Sequence, residues 1–130
     1  MKFPVKLPKK AKREAEMTVF ILSCDGKYAL QKRPSKGLLA GLWQFPNVPG
    51  MLETADALQW AADMGLKPRD ILRQVERSHI FTHIQWDMQG IYLEVACPVE
   101  EYQWMDPQTI RTQAALPTAF RQFWEEIDLV

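Results

Sequence analysis

Leu58-Gln59-Trp60-Ala61-Ala62-Asp63-Met64-Gly65-Leu66 and, upstream of it, Gly37-Leu38-Leu39-Ala40-Gly41-Leu42-Trp43-Gln44-Phe45-Pro46 are the two stretches on which the fold turns. The first predicts a helix over Ala55 to Met64, with Thr54 as its N-cap and Gly65 closing it. The second, followed out to Gly50, predicts mostly loop, with one short strand near Trp43-Gln44-Phe45 and a turn at Pro49-Gly50. Leu38, Leu39, Trp43 and Phe45 read as packing residues.

Upstream, the continuous apolar run from Glu16 to Ser23 predicts a strand buried on both faces. Asp25-Gly26 is a hairpin turn signal, and Tyr28 to Arg33 forms the returning strand. Met1 to Ala15, rich in Lys and Pro and without periodicity, reads as a basic connector, leaving 16–130 as the folded domain. Downstream, Ile71 to Ala96 predicts a long β region, interrupted near residues 82–85 and at Gly90. Trp104-Met105 is a short strand, and Asp106-Pro107 opens a helical turn. The last helix starts at Pro117 in the first helical position, with Phe120, Phe123, Trp124 and Ile127 as its apolar stripe. The order β-β-(β)-α-β-β-β-α predicts an α+β sandwich around a mixed sheet.

At 130 residues the chain suffices for one domain with its own core. No apolar run approaches the roughly 20 residues of a membrane span, and no signal peptide precedes the fold. Cys24 and Cys97 are too few for a disulfide framework or a four-thiolate cluster, so a reduced, cytoplasmic setting is the economical reading. The formal charge is zero, but residues 1–36 carry ten Lys or Arg against three acids, and residues 37–130 carry six against thirteen. That asymmetry fits a basic surface facing a polyanion, or a solvated tail beside an acidic domain.

Taken together, the two opening stretches resemble the Nudix fold of the MutT-type pyrophosphatases, whose helix reads Arg-Glu-hydrophobic-x-Glu-Glu-x-Gly-hydrophobic. Gln59 and Ala62 stand where two metal-binding glutamates of that pattern fall, and Asp63 alone keeps a carboxylate. Magnesium needs several anionic oxygens, so the resemblance implies a Nudix-like α/β/α sandwich with a degenerate helix, no metal and no hydrolysis.

Ser78-His79-Ile80-Phe81-Thr82-His83-Ile84 narrows the resemblance, together with Phe3-Pro4-Val5-Lys6, Gln31-Lys32-Arg33-Pro34 and Leu116-Pro117 before Phe120-Arg121. The pattern is similar to the C-terminal domain of MutY-type A/G-specific adenine DNA glycosylases. It implies a non-catalytic domain that reads 8-oxoguanine opposite the target adenine in double-stranded DNA. The implied partner is an N-terminal catalytic domain of the same polypeptide, where a [4Fe–4S] cluster would sit; this chain itself would hold no cofactor. The implied setting is bacterial cytoplasm, associated with the nucleoid, with a monomer as the default.

The family's Phe-Ser-His loop falls on Phe81, Thr82 and His83, with Thr where Ser is usual. Guanine offers an acceptor at N7 and a bare C–H at C8, and oxidation inverts that edge. A hydroxyl beside a backbone N–H offers the matching acceptor and donor. Thr82 would accept from N7–H, Phe81 would anchor the loop or stack, and His83 would orient it or touch phosphate. Backbone phosphates fall to Lys32, Arg33, Lys36, Arg77 and His79. In an unbroken strand Thr82 would instead share a face with Ile80 and Ile84 as a half-buried threonine. His79 and His83 lie roughly 13 Å apart in extended chain, too far to chelate one ion. Two rival functions remain: an active hydrolase of oxidised nucleotides, and a protein-interaction module.

Overall fold

A computed structural model describes residues 13–33, 35, 39–81, 84–113 and 116–128. Among these, seven strands and three helices follow in the order β1 (Arg13–Cys24), β2 (Lys27–Lys32), β3 (Trp43–Gln44), β4 (Asn47–Pro49), α1 (Thr54–Asp63), β5 (Pro68–Ile80), β6 (Ile84–Val95), β7 (Gln103–Met105), α2 (Pro107–Gln113) and α3 (Thr118–Asp128). The sheet runs β3-β2-β1-β6-β5, with β4 joined to β1 and β7 to β2. Among the described residues, β1 and β6 pair parallel and the other pairings are antiparallel.

β1 is central because it has something to bury on each side. Met17, Val19 and Ile21 join a core with Phe120, Phe123 and Trp124 of α3. Phe20, Leu22 and Cys24 face the other way, with Ala57 and Ala61 of α1. The Trp60 ring stacks flat on Phe20, with centroids 3.9 Å apart, which fixes α1 to the sheet. The two-sided apolar run is thus an α/β/α sandwich read out in one strand.

Several local expectations are corrected. β1 starts at Arg13, earlier than the apolar run suggested, because Arg13 to Ala15 pair with Ile84 to Trp86 of β6. β4, inside the expected loop, pairs Asn47 to Pro49 with β1; three residues carry no legible periodicity. Thr54 is the first helical residue, after Glu53, and its hydroxyl accepts from Gln74 Nε2 at 3.1 Å rather than capping α1. Pro117 precedes α3, its carbonyl accepting from Phe120 and Arg121 N–H. Gly65 does close α1, with φ +84, while Leu66 N–H returns to Ala61.

Gly90 does not interrupt β6, which runs unbroken between β1 and β5 with Gly90 beside Val19 and Val75. The glycine is there for space. A Cβ built on it would lie 2.6 Å from Phe123 Cε1. α3 therefore sits directly on the strand backbone, pinned further by Tyr92 OH donating to Phe123 O at 2.7 Å.

The segment entering α1 hangs on one buried hydroxyl. Thr18 Oγ1 donates to Gly50 O (2.8 Å) and accepts from Leu52 N–H (2.9 Å). Gln89 Nε2 holds the next carbonyl, Leu52 O, at 2.7 Å. Thr18→Val keeps the shape and strands both backbone groups, so a loss of about 1–2 kcal/mol is expected in urea unfolding. A variant as stable as the parent would refute this role.

Candidate nucleic-acid interface

Alternation along β5 sets which side chains lean inward near its end. Val75, Arg77 and His79 are half-buried, whereas Gln74, Glu76, Ser78 and Ile80 are exposed. β5 and β6 are in register up to Ile80 opposite Gln85, and Phe81 N–H donates to Ile84 O at 2.7 Å. β5 ends at Ile80 and β6 starts, antiparallel to it, at Ile84. Thr82 and His83, expected to read the base, are the two residues between Phe81 and Ile84 and lie outside the described residues.

Phe81 is half-buried and held by two rings. It meets His79 edge-on with centroids 4.6 Å apart and Trp86 at 4.9 Å. Trp86, 5% exposed, leans in turn on Phe120 of α3 at 5.7 Å. The hairpin end is thus tied into the core through one indole. Contacts of this type are worth about 0.5–1.5 kcal/mol each beyond burial.

Over the same indole lies Arg33, its guanidinium carbon 5.3 Å from the ring centroid. Arg33 Nη1 donates to Gln44 Oε1 at 2.7 Å, and Asn47 Nδ2 donates to the same oxygen at 3.0 Å. Asn47 is braced a second time on Phe45 O at 2.8 Å. Burial pushes the Arg33 pKa down from its ordinary value, yet a guanidinium keeps its charge at neutral pH.

The structure thus gathers Arg33, His79 and Phe81 around Trp86, and it separates the other expected cations. Lys32 is exposed, with Nζ 5.3 Å from the Trp43 ring, on an open cleft of about 710 Å³ that also takes in Glu101, Gln103 and Met105. Arg77 donates to Glu76 O at 2.7 Å and lines a different cleft, of about 600 Å³, whose rim includes Glu16, Glu76 and Asp87. That acidic rim is a poor place for phosphate. Lys36 lies outside the described residues.

Sequence reasoning missed Gln44, Asn47 and Trp86. No local pattern distinguishes them from ordinary strand and loop residues, since their role comes from contacts across the sheet. On α1, Gln59 Nε2 donates to Asp63 Oδ1 at 2.8 Å and Ala62 is exposed. Among the described residues, no three His, Cys, Asp or Glu converge as a metal site.

Residues 17–126 match the family model described as NUDIX domain. Human adenine DNA glycosylase is 32% identical over 141 residues, covering 92% of this chain and 25% of that protein. The rat adenine DNA glycosylase is 29% identical over 139 residues, covering 92% and 26%. The chain thus spans about a quarter of the length of these curated relatives. Among solved structures, the C-terminal domain of mouse MUTYH, in complex with human PCNA, superposes with a TM-score of 0.64 at 25% identity, covering 89% of this chain and 88% of that one. A MutT protein from Methanosarcina mazei has the same fold, with a TM-score of 0.61 at 20% identity over 91% and 95%.

Proposed function

This chain belongs to the NUDIX domain family and is homologous to the C-terminal region of adenine DNA glycosylases, and from that premise we propose that it is their lesion-reading domain. In this reading it binds duplex DNA opposite the target adenine, distinguishes 8-oxoguanine from guanine and performs no chemistry itself. Base excision belongs to a catalytic domain of the same polypeptide, which flips the adenine out of the stack. The observation that carries the reading is the likeness to two adenine DNA glycosylases along 92% of the chain. The short carboxylate set on α1 supports the non-catalytic part, because Gln59 and Ala62 cannot neutralise a divalent cation. No helix of the described residues is long and apolar enough to cross a membrane. The setting proposed with it is a bacterial cytoplasm, at the nucleoid.

Phe81, Thr82 and His83 are the proposed contacts to the oxidised base, with Lys32, Arg33, Lys36 and His79 on the backbone; Arg77, on its acidic cleft, is left out of the phosphate set. An inverted purine edge recognised by one hydroxyl and one amide is worth about 1–3 kcal/mol. Titration of the chain with duplexes differing only by one oxidised guanine, opposite adenine, tests this. The oxidised duplex is expected to bind on the order of tenfold tighter, and Thr82→Ala is expected to abolish most of that ratio. Equal affinities for both duplexes in the parent chain would refute lesion reading. Magnesium-dependent phosphate release from an oxidised guanine nucleotide would favour a hydrolase instead.

A second reading is a protein-interaction module, favoured by the mouse MUTYH domain having been solved in complex with PCNA. A pull-down of this chain against PCNA, with and without DNA, separates the two functions.

A further inference from the structure

The most constrained polar group near the hairpin end is not one of the cations but the amide of Gln44. Gln44 is 7% exposed, one of two buried polar or charged residues among those described. It sits on β3, directly across from Gln31 of β2, so its backbone is fixed by the ladder. Two donors, Arg33 Nη1 and Asn47 Nδ2, converge on its oxygen. That convergence sets which end of the amide is the oxygen.

We propose that Gln44 is a positioning residue that holds the Arg33 guanidinium over Trp86, beside the reversing end of β5 and β6, for use against a DNA phosphate. The proposal rests on the DNA-binding reading above and adds a named device to it. An arginine on a free surface loses rotamer freedom when it grips a phosphate, whereas one already seated on an indole and an amide has lost much of it beforehand. A neutral amide does this without adding a negative charge, which a carboxylate at the same place would do. The planar fork also matters, since a guanidinium can lie over an indole and donate to an amide from one seat, which an ammonium would not do.

Gln44→Glu provides the test because it preserves shape and both accepted hydrogen bonds while adding one negative charge. Binding of the full chain to an 8-oxoguanine:adenine duplex is measured from low to moderate salt. Gln44→Glu is expected to weaken low-salt binding several-fold and to reduce the log–log salt slope by about 0.9, the value of one phosphate contact. Gln44→Met is expected to weaken binding with the slope retained, since the charge remains but its seat is gone. In an Arg33→Gln background, the neutral Gln44→Met is expected to change nothing further. An unchanged slope in Gln44→Glu, or an effect of Gln44→Met on binding that persists without Arg33, overturns the proposal.

An arm without DNA distinguishes this failure from failure of the DNA reading. The Arg33 Nε–H resonance is expected to carry a ring-current shift from Trp86 that collapses in Gln44→Met. A shift that survives shows that Gln44 does not hold the guanidinium, whatever the chain binds. Absence of any duplex binding by the parent chain overturns the DNA reading, and with it the use assigned to Arg33.

Discussion

Trp86→Ala is expected to lower the unfolding free energy by about 3–5 kcal/mol, the range for deleting a buried aromatic side chain from a packed core. Trp86 is 5% exposed and lies against three groups from different elements: Phe120 of α3, Phe81 after β5 and the guanidinium of Arg33. Removing the indole therefore opens a cavity under α3 and unseats both flanking groups. Urea unfolding gives the free energy, and DNA titration at a temperature where the variant is still folded gives the second effect. Trp86→Phe is expected to recover most of the stability, because a ring still fills the space between Phe81 and Phe120. An alanine variant within 1 kcal/mol of the parent, on the order of a surface substitution, would show that the indole is not the joint described here.

Gly90→Val is expected to cost about 3 kcal/mol, the upper end for overpacking a closed core. Even the first added carbon would stand 2.6 and 2.7 Å from Phe123 Cε1 and Cδ1, and 3.1 Å from Val75 Cγ2. Phe123 is fully buried, so its ring has no solvent-filled space to enter. Its backbone carbonyl is also held by Tyr92 OH, which resists a shift of α3 away from the sheet. Phe123→Leu in the same chain is expected to recover part of the loss, since the obstruction is the ring. Equal melting temperatures for parent and Gly90→Val would contradict the close approach of α3 to β6.

How much of this was legible in the sequence depended on the range of the contacts involved. β1 announced itself because a strand with α1 on one face and α3 on the other must be apolar at consecutive positions. The Asp25-Gly26 hairpin and the Phe120, Phe123, Trp124 stripe were visible for the same reason: local geometry demands particular residues at particular offsets. In the sequence Gly90 reads as a break, because a glycine in a strand pattern looks alike whether the strand stops or a helix comes close. β4 was missed because its pairing belongs to β1, some thirty positions away, rather than to its own three residues.

The candidate site divides along the same line. Phe81 is legible from the loop motif, and Arg33 and His79 from charge close to the motifs; the structure brings Arg33 and Phe81 to one indole, with His79 against Phe81. What holds Arg33 there, Gln44 on a different strand and Trp86 on another, carries no motif of its own. Lys32 and Arg77 carry the same sequence signal as Arg33, a charge close to the motifs. Alternation and chain reversal sent them to separate clefts, and Arg77 to one with an acidic rim.

The parallel ladder between β1 and β6 has a consequence for how the chain comes into being. Every pair in it joins positions 71 apart, from 13 against 84 to 23 against 94. On a ribosome the most apolar strand therefore emerges long before the partner that covers one of its edges. Non-local pairings of this kind slow folding, because a large loop must close before any contact rewards it. Until β6 is synthesised, β1 is a sticky ribbon, and the nascent chain's exposure to aggregation or chaperones is set by that wait.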